Sequence, residues 1–189
     1  MTGIPISIFV DEYVHSEDGG AQLEKLMQHL STDILSSLSY LHTRSIVHLD
    51  VKPSNLLVSD HVSLVDFGCA RFVDSADLDW GDGDKSYSAP ERIAGKRPST
   101  KSDIWSFGAV LFEMCFGAAP HRMLATLTLN AERRSPALLS FLNEVLALEP
   151  ARRPSAEQCL QNPWFEACGQ LQVPHESREF RSRSASFEG

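Results

Sequence analysis

Basic residues are scarce in this chain: 17 lysines and arginines face 25 aspartates and glutamates, a net charge of −8. Gripping nucleic acid requires a basic face that neutralises phosphates, so the deficit argues against general nucleic-acid binding. Cysteine is equally thin. The four (Cys69, Cys115, Cys159, Cys168) lie far apart, with no C-x-x-C pair and no histidine at zinc spacing. Reduced intracellular thiols are the expected state. No apolar run approaches the length of a membrane span, and the first residues lack a basic stretch followed by an apolar one. Neither a membrane span nor secretion is expected; an intracellular location, cytoplasmic or nuclear, is. Internal repeats are also missing. What remains is ordinary for a folded protein: 42% hydrophobic and 22% charged residues in 189 positions, enough for one domain with a real core.

The densest signal runs from His48 to Gly68, HLDVKPSNLLVSDHVSLVDFG. It sets an acid (Asp50), a cation (Lys52) and an amide (Asn55) at i, i+2 and i+5. A short hairpin should follow, with Leu56–Val58 and Val62–Val65 as strands around the turn Ser59-Asp60-His61. A second acid, Asp66, comes straight after it in Asp66-Phe67-Gly68. A lone D-F-G would mean little, but the order, spacing and hairpin together resemble the catalytic loop and metal-binding segment of eukaryotic protein kinases of the serine/threonine type.

That resemblance implies roles. Phosphoryl transfer asks a protein mainly for positioning and for cations that neutralise charge on the moving group. Asp50 would accept or orient the proton of the attacking hydroxyl, and Lys52 would sit against the γ-phosphate of ATP. Asn55 and Asp66 would give oxygen ligands to Mg2+, a hard cation that keeps much of its water. Leu57 would lie beneath the adenine ring, with Leu56 and Val58 facing the other way by strand alternation. His48 and Phe67 would stack in a column of buried side chains. One departure is Leu49, where the family usually carries the arginine of H-R-D. Leucine cannot read a phosphorylated activation segment through a charge-assisted pair.

Around this stretch the chain reads in kinase order. Ile4 to Val14 is an apolar strand running into a hinge, with Glu12, Tyr13 and Val14 as the expected backbone contacts to adenine. Leu26, Leu30, Ile34, Leu38 and Leu41 recur every three or four residues and predict an amphipathic helix from about Leu23 to Thr43. Arg71 to Tyr87 is the candidate activation segment, rich in aspartate, and its acids are read as solvated. It closes on Gly83-Asp84-Lys85-Ser86-Tyr87-Ser88-Ala89-Pro90-Glu91, with Asp84 where most relatives carry threonine. Asp84 could accept from Lys52, but a second carboxylate near Asp50 should raise the pKa of one of the two. Glu91 is expected to pair with Arg153, and Arg152 to be on the surface. Ser102 to Phe116 is apolar nearly all round and should be a central helix, with Trp105 and Phe107 in the core. Asp103 near its start should receive catalytic-loop N–H groups, cap the helix, or both. Pro120 to Pro136 looks abbreviated as a docking region, Ala137 to Leu148 is a packing helix, and Ser155 with Gln158 forms a capping box.

The expected fold is α+β and mostly helical: a protein-kinase-like large C-terminal lobe carrying a small catalytic-loop hairpin, without the N-terminal lobe. No G-x-G-x-x-G loop, strand lysine or matching helix glutamate occurs. The chain therefore reads as N-terminally truncated. Residues 1–14 would be the last small-lobe strand and hinge, 15–168 the large lobe, and 169–189 a disordered Arg/Ser-rich tail. Leu49 resembles both the Wee/Myt-type cell-cycle inhibitory kinases and the Mos kinases; Asp84 resembles the Myt type, while Asp66-Phe67-Gly68-Cys69 resembles Mos. The implied partner is a protein substrate, a cyclin-dependent kinase or a member of a mitogen-activated cascade. Two alternatives stand beside an ATP- and Mg2+-dependent kinase. One is a lobe-only binding module without activity. The other is an unrelated metal hydrolase, which leaves Glu91, Asp103 and Arg153 unexplained.

Overall fold

The computed structural model describes residues 3–7, 19–75, 84–117 and 134–166. The hinge candidates Glu12, Tyr13 and Val14, residues 76–83 of the activation segment, residues 118–133 and the tail from 167 lie outside them. Among the described residues the elements run β1 (Ile4–Pro5), α1 (Gly19–His42), β2 (Ile46–Val47), β3 (Leu56–Val58), β4 (Val62–Leu64), β5 (Arg71–Phe72), α2 (Pro90–Ile93), α3 (Thr100–Phe116), α4 (Pro136–Val145), α5 (Ala156–Leu160) and α6 (Pro163–Glu166). This is mixed helix and sheet with few strands.

Helix α1 forms because its leucines fall on one stripe and no proline interrupts it. Leu23, Leu26, Met27, Leu30, Ile34, Leu35, Leu38 and Leu41 are all buried. At about 1.5–3 kcal/mol for each fully buried aliphatic side chain, that stripe outweighs any single polar contact in the helix. It packs on α3, α5 and the hairpin. Helix α3 is buried nearly all round, as its composition predicts. Ser99 caps its start in a box with Ser102, and Gly117 ends it in the left-handed conformation (φ 78°). Gly108 lets α3 and α4 approach closely: a Cβ there would lie 2.7 Å from Val145 Cγ2. Phe141 of α4 then stacks on Trp164 of α6 with ring centroids 5.3 Å apart.

One antiparallel sheet has the order β1-β3-β4, with Ile4 opposite Val58 and Leu56 opposite Leu64. A second pairs β2 with β5, bringing Val47 opposite Arg71. The hairpin is the one predicted, with its second strand one residue shorter. Several boundaries differ, among them the start of α3, at Thr100 rather than Ser102. The N-terminal strand ends at Pro5 and the backbone turns helical at Ile6–Ser7, while the hinge expected beyond it lies outside the described residues. Helix α1 starts at Gly19, four residues early. Helix α4 starts at Pro136, capped by the Ser135 side chain on the Leu138 N–H, and ends at Val145 rather than Leu148.

No described helix is long and apolar enough to cross a membrane.

Candidate active site

The site is assembled from the loop after β2, the 3-10 turn Pro53–Asn55, and the residues that follow β4. Its foundation is Asp103, wholly buried in the first turn of α3. One carboxylate oxygen accepts the His48 N–H at 2.8 Å and His42 Nε2 at 2.9 Å; the other accepts the Leu49 N–H at 2.8 Å. An unpaired buried carboxylate would be costly, and these donors satisfy it while fixing the loop. Of the two roles expected for Asp103, loop anchoring is the observed one. Capping belongs to Ser99.

His48 is itself buried. Its Nε2 lies 3.2 Å from the Val65 carbonyl and its Nδ1 accepts the Asp50 N–H at 3.3 Å, which makes Nε2 the protonated nitrogen. Burial pulls the imidazole below its ordinary pKa of 6.5, against the opposing pull of Asp103, the Val65 carbonyl, Asp50 and Asp66. The ring therefore stays neutral. Phe67 meets it edge-on with centroids 5.0 Å apart, as expected, but Phe67 is 50% exposed rather than part of a buried column.

Asp50, Lys52 and Asn55 converge. Lys52 Nζ lies 2.8 Å from Asp50 Oδ2, and Asn55 Nδ2 donates to both that oxygen and the Asp50 carbonyl at 2.9 Å each. Burial alone would push the Asp50 carboxyl up. The Lys52 ammonium, the Asp84 N–H and the Asn55 amide more than offset that and hold it below its ordinary value of 3.8. The hydrogen bond to Asp50 raises the Lys52 ammonium, against burial and with help from the Asp50, Asp84 and Asp66 charges. The pair is charged across the neutral range.

Asp84 requires a correction. The rise expected for one of the two carboxyls does not fall on Asp50, which is held below its ordinary value. The Asp84 backbone N–H points at Asp50 Oδ1 (3.4 Å), while its carboxylate accepts the Ser86 N–H at 2.9 Å. A short acidic side chain closing an Asx turn aims its own amide outward, so the residue acts as a donor.

Asp66 sits beside Asn55 because the Val65 N–H donates to the Asn55 carbonyl at 2.9 Å. It is exposed and left-handed (φ 63°), with its carboxylate accepting the Gly68 N–H at 3.2 Å. Both Asn55 Nδ2 hydrogens are engaged by Asp50, so the amide oxygen is the atom left to coordinate. An amide oxygen and an exposed carboxylate are hard donors that fit magnesium, which takes one or two protein ligands and completes its shell with water and phosphate oxygens. No group of three or more His, Cys, Asp or Glu suited to a metal occurs among the described residues. Leu57 projects from β3 on the side opposite the buried Leu56 and Val58 and is half-buried, the alternation expected of an adenine platform.

Glu91 and Arg153 meet as the sequence predicts. Two parallel N–H···O contacts of 2.8 Å join them, and Ser102 Oγ donates to Glu91 at 2.8 Å. The remaining Arg153 N–H groups go to the Ala147, Lys101 and Leu148 carbonyls. All five donors are satisfied. Arg152 is exposed, as expected.

Sequence reasoning missed the hub at Glu24. Its carboxylate accepts from the Ser135 hydroxyl, from the Ser135 N–H at 3.2 Å and from Trp164 Nε1 at 2.9 Å. No local spacing links residues so far apart. Arg92 was also missed; its guanidinium reaches the Leu49 carbonyl.

A buried aspartate gripping a loop that offers an acid, a lysine and an amide beside a second exposed acid is the ground plan of a phosphoryl-transfer site. The comparisons agree. The family model for the protein kinase domain matches residues 9–165, and the chain belongs to that family. It is 32% identical over 174 residues to the MAP kinase kinase MKK1/SSP32 of Saccharomyces cerevisiae, covering 79% of this chain and 34% of that protein. It is 32% identical to the MAP kinase kinase skh1/pek1 of Schizosaccharomyces pombe (84% of this chain, 50% of that one) and 31% identical to serine/threonine-protein kinase 17A of Oryctolagus cuniculus (75% and 41%). The chain thus spans half or less of the length of these curated relatives.

Proposed function

We propose that this chain carries the catalytic centre of a serine/threonine protein kinase, moving the γ-phosphate of ATP to a protein hydroxyl. The observation that carries the reading is the Asp50 carboxylate held between the Lys52 ammonium and the Asn55 amide, on a loop anchored by Asp103. The substrate hydroxyl would donate to Asp50 while its oxygen attacks the γ-phosphorus. The bond to the ADP oxygen breaks as the new one forms, and the proton passes to Asp50. A carboxylate with a lowered pKa is a weak base, so its main work is to orient the hydroxyl and take the proton late. Lys52 would neutralise charge on the transferring group. Asn55 and Asp66 would hold magnesium, which supplies further positive charge at the phosphates. Leu57 would support the adenine, with Glu12 to Val14 contacting its edge.

On the finer question of substrate, the sequence features divide. Asp84 favours a Wee/Myt-like role on a cyclin-dependent kinase and Cys69 a Mos-like one, while Leu49 fits both. The likeness to two MAP kinase kinases favours a substrate within a kinase cascade. An intracellular location, cytoplasmic or nuclear, goes with either.

The test is magnesium-dependent transfer from labelled ATP to a generic protein substrate, with Asp50→Ala beside it. Transfer that drops by about a thousandfold or more in the variant, with an unchanged melting temperature, is expected. A folded wild-type chain that transfers nothing would sink the reading for this chain and favour a binding module.

A further inference from the structure

Leu49 sits at φ 66°, in the left-handed region that a branched side chain rarely adopts. Asp50 follows it, so the orientation of the Leu49–Asp50 peptide plane sets where the Asp50 carboxylate points. Both edges of that plane are held. Its N–H donates to His48 Nδ1 at 3.3 Å, and its carbonyl accepts from Arg92 Nη1 at 2.5 Å. The Leu49 side chain is buried and apolar and contributes packing alone. The charged contact to this peptide comes from Arg92, on a different element.

Arg92 is well placed to be rigid. It follows Glu91 in α2, and Glu91 is fixed by Arg153 and Ser102. A charge-assisted hydrogen bond from that base is stronger and better directed than a neutral one. We infer that Arg92 is a positioning residue for Asp50: it locks the strained Leu49 carbonyl and so keeps the Asp50 carboxylate among Lys52, Asn55 and the Asp84 N–H. The inference rests on the phosphoryl-transfer reading above for its kinetic consequence, but its geometric consequence stands apart from it.

The test compares the whole chain with Arg92→Ala, Arg92→Gln and Arg92→Lys by steady-state kinetics, thermal melting and amide hydrogen exchange at the Asp50 N–H. Arg92→Ala should leave KM for ATP within about twofold and lower kcat about 10- to 100-fold, the penalty of a small misplacement of a reacting group. Exchange of the Asp50 N–H should speed up about tenfold or more relative to the amides of α3, because the peptide that donates to His48 Nδ1 loosens. Arg92→Lys, which restores a charged donor, should recover most of both, and Arg92→Gln should fall between. Unchanged exchange of the Asp50 N–H in folded Arg92→Ala, or in Arg92→Gln if alanine does not fold, would overturn the inference. So would a loss of kcat that merely follows the folded fraction. A wild-type chain without transfer would defeat the kinase reading alone, since the Asp50 N–H exchange series still decides the role of Arg92.

Discussion

Two ion pairs in this molecule close at the same distance, 2.8 Å, and are built for opposite ends. Glu91 and Arg153 meet in two parallel contacts; the arginine side chain is fully buried and each of its donors is engaged. Asp50 and Lys52 meet through one contact of a flexible ammonium whose side chain is 25% exposed. Guanidinium suits the first because its planar fork matches a carboxylate, and ammonium the second because it is a point charge on a long stem. The first pair has no room for a newcomer. The second has one open side, where substrate would enter. Distance alone does not separate a structural pair from a functional one; denticity and access to water do.

Breaking the buried pair should give the largest change. Arg153→Ala strands the Glu91 carboxylate and is expected to cost about 3–5 kcal/mol, read as a lowered urea midpoint. Combining it with Glu91→Gln should recover a good part of that loss, because no charge is left buried. A loss under about 1 kcal/mol for Arg153→Ala would mean that water reaches Glu91 and that the contrast between the pairs is false.

Lys52→Ala should cost less, about 1–2 kcal/mol, because the Asp50 carboxylate, buried like that of Glu91, keeps the Asn55 amide and the Asp84 N–H. Phosphate transfer should fall about 100- to 1000-fold, as removal of an electrostatic contact to the transferring group does. Equal losses of stability from Lys52→Ala and Arg153→Ala would erase the distinction.

Acidity gives the gentlest test. Burial would raise the Glu91 carboxyl, but Arg153, its own backbone and Ser102 outweigh that and hold it below the ordinary 4.5. The folded state therefore takes up its proton later than the unfolded state, and the stability this provides is full above pH 4.5 and drains away below it. His48, pulled below 6.5 by burial, acts at higher pH: from 6.5 downward the unfolded chain binds a proton the folded one resists, so stability already slopes down there. Urea midpoints should be level between about pH 7 and 8, decline below 6.5 and steepen below 4.5. Removing Arg153 should flatten the lowest part of that curve alone.

The contrast also sorts what could be read ahead of the structure. Glu91 with Arg153, Asp103 under the loop, and Asp50, Lys52, Asn55 and Asp66 were legible because each sits in a short motif with fixed spacing. The Ser155–Gln158 capping box was legible for the same reason, and it forms as expected. The start of α4 was available in Ser135-Pro136, an N-cap followed by proline at the first helical position. The start of α3 was harder, because Ser99 and Ser102 cap each other without the usual glutamate or glutamine. The misjudged residues, Phe67 and Asp84, have surroundings supplied by distant parts of the chain. Stacking on His48 was predictable for Phe67; its exposed outer face was not.

By itself, then, the sequence determined the family, the order of the elements and the acids, amide and cation that would do the chemistry, since these depend on residue type and local spacing. Tertiary structure decided which atom of each residue is presented. The Asp84 amide rather than its carboxylate faces Asp50, three donors from remote elements converge on Glu24, and Arg92 crosses to the Leu49 carbonyl. The physical reason is that a hydrogen bond requires a donor and an acceptor within about 3 Å and well aligned. Spacing along a chain can promise that within one turn or one hairpin. Between elements far apart in sequence, only the packing of the core brings it about.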